Sequence, residues 1–162
     1  MTINDIEAAA IAGDVNAQYE FGMLYYEGNR LPEDHIQAKV WLRQAATKGH
    51  AKAQHNLGVL LYEESPETAE RQEAIRWILS AANQGLVDSQ IAIAQIYLDG
   101  TSIPKNDIEA YLWFNLAAAA GDEEASLTRD KLGRHMSREE ISVAQERSRL
   151  WWRKMQEKRL NI

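Results

Sequence analysis

Apolar residues fall along this chain in two helical stripes that alternate and return every 36 residues. The first stripe, Ala17, Phe21, Leu24 and Tyr25, has spacings of four, three and one and so occupies one face of a helix. Counterparts follow over residues 53–62 and 89–100. The second stripe, Ala38, Trp41, Leu42, Ala45 and Ala46, has polar residues opposite it and predicts a second helix. Trp41, Trp77 and Trp113 stand 36 residues apart, and Gly13, Gly49, Gly85 and Gly121 keep that interval, as do Ala38, Ala74 and Ala110 and also Ala46, Ala82 and Ala118. Self-similarity at this period is the signature of a solenoid, whose units bury their apolar faces only against neighbours. The predicted unit is helix, loop, second helix and a glycine turn in left-handed conformation. Asp14, Asp88 and Asp122, just after that turn, are expected to cap the next helix. Gly22 and Gly58, with Ala94 in the third unit, sit mid-helix. Glycine there costs about 1 kcal/mol against alanine, so its reuse predicts close helix approach.

Three units cover 17–52, 53–88 and 89–124, preceded by a half unit at 3–13 and followed by a further first-half helix at 125–133. Ser137 to Glu140 then forms a capping box, flanked by Met136 and Ile141 as a hydrophobic staple. The helix it opens runs over 137–160 with Ile141, Ala144, Ser148, Trp151 and Met155 along one face, and is expected to cover the open end of the stack. The reading is an all-α solenoid in a single domain, 1–162. The second unit departs at its loop: Glu64 stands where the others carry Gly28 and Gly100, and Ser65, Pro66 and Glu67 read as the first positions of a helix that begins early.

Composition narrows the classes. At 162 residues and 45% hydrophobic content the chain is long enough for a sizeable core. No run of about 18 apolar residues occurs, so no membrane span is expected. The acidic start lacks the layout of a secretory signal, which predicts a cytoplasmic protein, or a periplasmic one if a signal has been removed. With no cysteine there is neither disulfide nor thiolate chemistry. The net charge of −6 divides unevenly: Arg129–Ile162 carries ten Lys/Arg against five Asp/Glu, and residues 1–128 carry eight against nineteen. An acidic body is joined to a basic end.

Candidate chemistry is sparse. The periodic tryptophans recur at a core position and read as packing, as do Tyr25 and Tyr97. His35, His50, His55 and His135 show no metal-ligand spacing, so neither metal nor cofactor is expected. There is no phosphate loop, nucleophile elbow or His-Glu-x-x-His. The pairs Glu63/Glu64 and Glu123/Glu124 lie in loops or at helix starts, where the helix dipole favours acids. The chain is read as non-catalytic. Its basic C-terminal helix, with Trp151 and Trp152 among Arg153, Lys154, Lys158 and Arg159, leaves nucleic acid or an anionic membrane open as alternatives, although Glu146 and Glu157 interrupt the charge.

The first unit carries Ala17, Phe21, Gly22, Tyr25, Gly28, Leu31, Asp34, Ala38, Trp41, Ala45, Ala46 and Gly49, and the third carries Ile93, Ala94, Tyr97, Gly100, Ile103, Asn106, Ala110, Trp113, Ala117, Ala118 and Gly121. This pattern is similar to the Sel1-like repeat, a relative of the tetratricopeptide repeat. The segment Met136–Trp151 also resembles one that follows such repeats in bacterial proteins. The resemblance implies a right-handed α-α superhelix that works as an adaptor or scaffold. It further implies that the first helices line a concave groove through Tyr19, Met23, Tyr26 and Glu27, then His55, Val59, Tyr62 and Glu63, then Ile91, Gln95, Leu98 and Asp99. These positions fall off the packing stripe, and many are apolar with carboxylates beside them. That suits a protein segment with apolar anchors and basic flanks rather than a small-molecule substrate. Two further possibilities stay open. The partner of such a small acidic protein is a toxic effector that it neutralises as an immunity protein, or the groove is filled by the C-terminal helix or by a second copy.

Overall fold

The computed structural model describes residues 2–64 and 69–160. These form nine α-helices and no strand: α1 (Ile3–Ile11), α2 (Val15–Glu27), α3 (His35–Thr47), α4 (Ala51–Glu64), α5 (Ala69–Asn83), α6 (Val87–Asp99), α7 (Asp107–Ala119), α8 (Glu123–Gly133) and α9 (Arg138–Leu160). The helices belong to two compact units, residues 1–81 and 82–162.

In the first unit α1 packs on α2, α2 on α3 and α3 on α4. Ile6, Ala10, Ala17 and Phe21 form one core cluster, against which Tyr25 and Trp41 are packed. The Phe21 ring meets Tyr25 and Trp41 edge-on, each with centroids 5.1 Å apart. A second cluster gathers Leu42, Ala45, Ala46, Ala53, Leu57, Leu61 and Ala74. Close approach at the mid-helix glycines is as expected. A Cβ on Gly22 would lie 2.9 Å from Leu42 Cγ, and one on Gly58 would lie 2.7 Å from Ile78 Cγ1 and 2.9 Å from the Ala74 carbonyl oxygen. The turn glycines adopt the left-handed backbone, with Gly13 at φ 95° and Gly49 at φ 89°.

A buried glutamine ties each first helix to the helix before it. Gln18 Nε2 donates to the Ala10 carbonyl at 3.1 Å and Gln54 Nε2 to the Ala46 carbonyl at 3.0 Å. In the second unit Gln90 Nε2 donates to the Ala82 carbonyl at 3.3 Å. Each of these carbonyls, at a helix end, also accepts from the N–H of its turn glycine, Gly13, Gly49 or Gly85, so the amide adds a second hydrogen bond to it. The periodicity placed these glutamines but did not reveal this role.

The caps correct one expectation. Asp14 and Asp122 do cap, accepting from the backbone N–H of Ala17 at 2.8 Å and of Ala125 at 2.7 Å. Asp88 does not: α6 is preceded by Leu86, which makes no side-chain cap, and Asp88 lies within the first turn. The capping register continues from Asp14 in steps of 36 through His50 and Leu86 to Asp122. His50 fills its place with an imidazole, the Ala53 N–H donating to Nδ1 at 3.1 Å. Asp88 is two positions late, where its charge still complements the helix dipole. The early start read for Ser65, Pro66 and Glu67 lies outside the described residues, and α5 is helical from Ala69.

In the second unit α7 is packed by α6, α8 and α9. It is accordingly buried nearly all round, through Ala110, Tyr111, Leu112, Trp113, Phe114, Leu116 and Ala117. α9 opens on the expected capping box: Ser137 N–H donates to Glu140 Oε2 at 2.8 Å, and Glu140 N–H to Ser137 Oγ at 3.2 Å. Ala144 and Ser148 are buried, with Ile141, Trp151 and Met155 half-buried on the same face. Ser148 satisfies its hydroxyl on the Ala144 carbonyl at 2.9 Å.

Candidate functional site

The side chains expected to meet a partner fall into three groups, and the first helices position each differently. On α2, Tyr19 and Met23 are half-buried and pack with Tyr62 of α4 against the core cluster around Leu42 and Leu57. This corrects their expected place off the packing stripe: a long side chain on the flank of a helix bends back over the apolar seam. Tyr19 stacks on His50, centroids 4.6 Å apart at 24°, and Asn56 Nδ2 lies 2.9 Å from Met23 Sδ. Burial raises the phenol pKa of Tyr19, and burial lowers the imidazole pKa of His50, with Lys52 adding to that.

Tyr26 is separate from that group. It stacks on His35, centroids 5.5 Å apart, at the start of α3. His35 Nδ1 lies 2.6 Å from Glu64 Oε1, and Lys39 Nζ 2.6 Å from Glu64 Oε2. The hydrogen bond from Lys39, helped by His35, holds the Glu64 carboxyl below its ordinary pKa. His55 and Val59 of α4 are half-buried, and Glu27 and Glu63 are exposed. Tyr62 is covered on one face by the Arg71 guanidinium, 4.3 Å from its ring centre. In the second unit, Ile91 and Leu98 of α6 are half-buried, whereas Gln95 and Asp99 are exposed.

Three features were not anticipated from the sequence. Ile36 and Val40 stand 71% and 45% exposed on α3, beside Lys39 and Arg43. Arg43 and Glu73 form an ion pair, and Glu73 Oε1 also accepts from Trp77 Nε1 at 3.0 Å. Burial disfavours the Glu73 carboxylate, but the bonds from Trp77 and Arg43 outweigh it and hold the pKa below the usual value. Finally, α9 rests on α7 through Trp151, whose ring meets Trp113 edge-on at 6.5 Å, and through an Arg147–Glu109 ion pair of 2.5 Å. Along the same face Trp151 and Met155 reach the turn at Gly85 and Ile141 reaches Gly133 of α8, and the expected contact residues Ile91, Gln95, Leu98 and Asp99 lie on α6. Among the described residues no group of three His, Asp or Glu side chains stands where it could hold a metal. Nor is any described helix long and apolar enough to cross a membrane.

The Sel1 repeat family model matches residues 15–50, 51–86 and 87–122. The chain belongs to the Sel1 repeat family. The matched units keep the period of 36 and begin two residues ahead of the units read from the sequence. Among solved structures, the Sel1 repeat protein from Oxalobacter formigenes is similar at 30% identity and TM-score 0.68, over 78% of this chain and 96% of that one. The c5321 protein, a protective antigen present in uropathogenic Escherichia coli strains displaying an SLR fold, is similar at 22% identity and TM-score 0.64, over 96% of this chain. The match spans 43% of the c5321 chain, so that likeness concerns the fold. A search of curated proteins found no match. Sel1 repeats generally form protein-interaction scaffolds, and the fold is typically non-catalytic.

Proposed function

We propose that this protein is a non-catalytic adaptor that recognises a segment of another protein through the first helices of its repeats. In the first unit the contact residues are Tyr26, His55, Val59 and Tyr62, with Glu27 and Glu63 selecting a basic flank. In the second unit Ile91 and Leu98 supply apolar contacts beside Asp99. Tyr19 and Met23 contribute support, since they are already engaged with Asn56, His50 and the core. The observation that carries this reading is the pairing of half-buried aromatic or aliphatic side chains with exposed carboxylates at the C-terminal ends of α2, α4 and α6. Such pairs combine apolar anchorage with charge selection at little cost in side-chain ordering.

The test is capture of partners from native lysate with wild type, with Tyr26→Ala, and with Glu27→Lys/Glu63→Lys. Each variant is first shown to melt within a few degrees of wild type. A protein held by wild type and lost from both variants supports the adaptor reading. Identical captures by all three would remove these faces from the function.

A further inference from the structure

Within the second unit, α7 and α9, with Asn83 at one end, line an open cleft of about 320 Å³ that the first-helix faces do not include. One wall is apolar: Leu112, Leu150 and Trp151, with Leu150 still 41% exposed. The other is charged, with Arg147 paired to Glu109 and Lys154 alongside. Lys154 has no ion-pair partner among the described residues, and neither have Arg153, Lys158 and Arg159 further along α9. Beneath the cleft lies an anomaly. Trp113 is 5% exposed and its indole N–H has no hydrogen-bond acceptor among the described residues. A buried donor left unsatisfied costs about 1–3 kcal/mol and calls for a physical reason.

The preceding repeat supplies the reason. One period earlier, Trp77 donates to Glu73 at 3.0 Å, four residues back on the same helix. Glu109 and Trp113 stand in the same i, i+4 relation, but where Glu73 is shared between Arg43 and the indole, Glu109 meets Arg147 alone. The acceptor for the orphaned indole is therefore already in place, turned toward α9.

We propose that the α7–α9 cleft is a docking site for an acidic segment of a partner protein that carries an apolar residue beside its carboxylate. The partner's carboxylate takes Arg147 and Lys154, its apolar side chain lies against Leu112, Leu150 and Trp151, and Glu109 returns to the Trp113 N–H. The exchange conserves the Arg147 ion pair, adds the missing indole hydrogen bond and gives Lys154 a counter-charge. The choice of an acidic protein segment follows from complementarity: the unpaired charges are cationic, and the wall that accompanies them is aromatic and aliphatic. The site is independent of the proposed first-helix faces.

The test uses the full chain labelled with ¹⁵N, following the indole N–H signals of the five tryptophans. The probe is an acetyl-capped Glu-Leu-Phe-Asp-Glu peptide, and the control is its amide copy, Gln-Leu-Phe-Asn-Gln. The acidic peptide is expected to shift the Trp113 and Trp151 signals saturably. Arg147→Gln and Lys154→Gln should each weaken binding about tenfold, the effect of one charge-assisted hydrogen bond, whereas Tyr26→Ala should leave it unchanged. In the free protein, Arg147→Gln alone should move the Trp113 indole proton downfield toward the position of Trp77, because Glu109 is released to it. Equal binding of the amide copy, no shift with either peptide, or shifts produced only by duplex DNA or anionic vesicles would each overturn the proposal. An unmoved Trp113 signal in the folded Arg147→Gln protein would overturn the exchange on which it rests.

Discussion

Two tryptophans one period apart, on the same kind of helix and each four residues after a glutamate, end in opposite hydrogen-bonding states. In the first unit Glu73 accepts from Trp77 and from Arg43 together. In the second, Glu109 is drawn to Arg147 and Trp113 Nε1 has no acceptor among the described residues. The difference lies in the third party. Arg43 belongs to α3, the second helix of the preceding repeat, whereas Arg147 comes from α9, which is not a repeat helix. A glutamate beside a tryptophan is thus a local offer, and the helix that packs across it decides whether the offer is taken. The same contrast governs burial. Val40 of α3 is exposed, while Leu112, its counterpart two periods on, is buried beside α9.

Substitutions at matching positions of the two units break or sharpen this contrast, beginning with the largest expected effect. Glu73→Ala should destabilise by about 2–3 kcal/mol in denaturant unfolding, because a half-buried indole and a guanidinium lose their acceptor together. Glu109→Ala should cost less than about 1 kcal/mol, since it strands only a well-exposed Arg147. Equal losses at the two sites would show that Trp113 has an acceptor after all. Helix contact can be compared at the matching position: Gly58→Ala forces a Cβ against Ile78 and the Ala74 carbonyl and should cost about 1–3 kcal/mol. Ala94→Gly in the second unit should cost about 1 kcal/mol from helix propensity. Tolerance of Gly58→Ala would mean that α4 and α5 can separate cheaply.

The caps supply a pH-dependent member of the series. His50 accepts through Nδ1 and its folded pKa is lowered, chiefly by burial, from the ordinary 6.5. The folded state therefore binds fewer protons than the unfolded chain. The cap's contribution, about 1 kcal/mol, is present above 6.5 and is lost as pH falls below that value through the folded pKa. His50→Asn should keep the cap and flatten this part of the stability–pH profile, whereas an unchanged profile would remove His50 as its source. Smallest of all, Arg147→Gln should change stability by under about 0.5 kcal/mol, because the lost partly exposed ion pair is offset by the hydrogen bond that Trp113 gains. A loss above about 2 kcal/mol would show that α9 depends on this pair.

Much of the fold was legible because the constraints that set it are local and repeated. The 36-residue interval, the glycine turns, the capping box at Ser137 and the mid-helix Gly22 and Gly58 each follow from backbone geometry or from the volume of one side chain. Asp88 was misread because two carboxylates near a helix start look alike until the cap register is counted. The candidate site was less legible. Tyr19, Met23 and Tyr62 lie between the packing stripe and the solvent, and a helical wheel assigns such flank positions to neither. Nothing in the sequence around Gln18, Gln54 and Gln90 separates a buried tie between helices from an ordinary surface amide.

The sequence by itself determined the all-helical class, the length of the repeating pair and the glycine turns at Gly13, Gly49, Gly85 and Gly121, since those depend on interactions within a few residues. It also determined that α9 would have an apolar face. Only the tertiary structure decided which helix that face would cover, which of two equivalent glutamates would keep its tryptophan, and which flank aromatics would turn inward. Those outcomes depend on charges and surfaces brought together from distant parts of the chain, and a periodic sequence offers the same local choice each time.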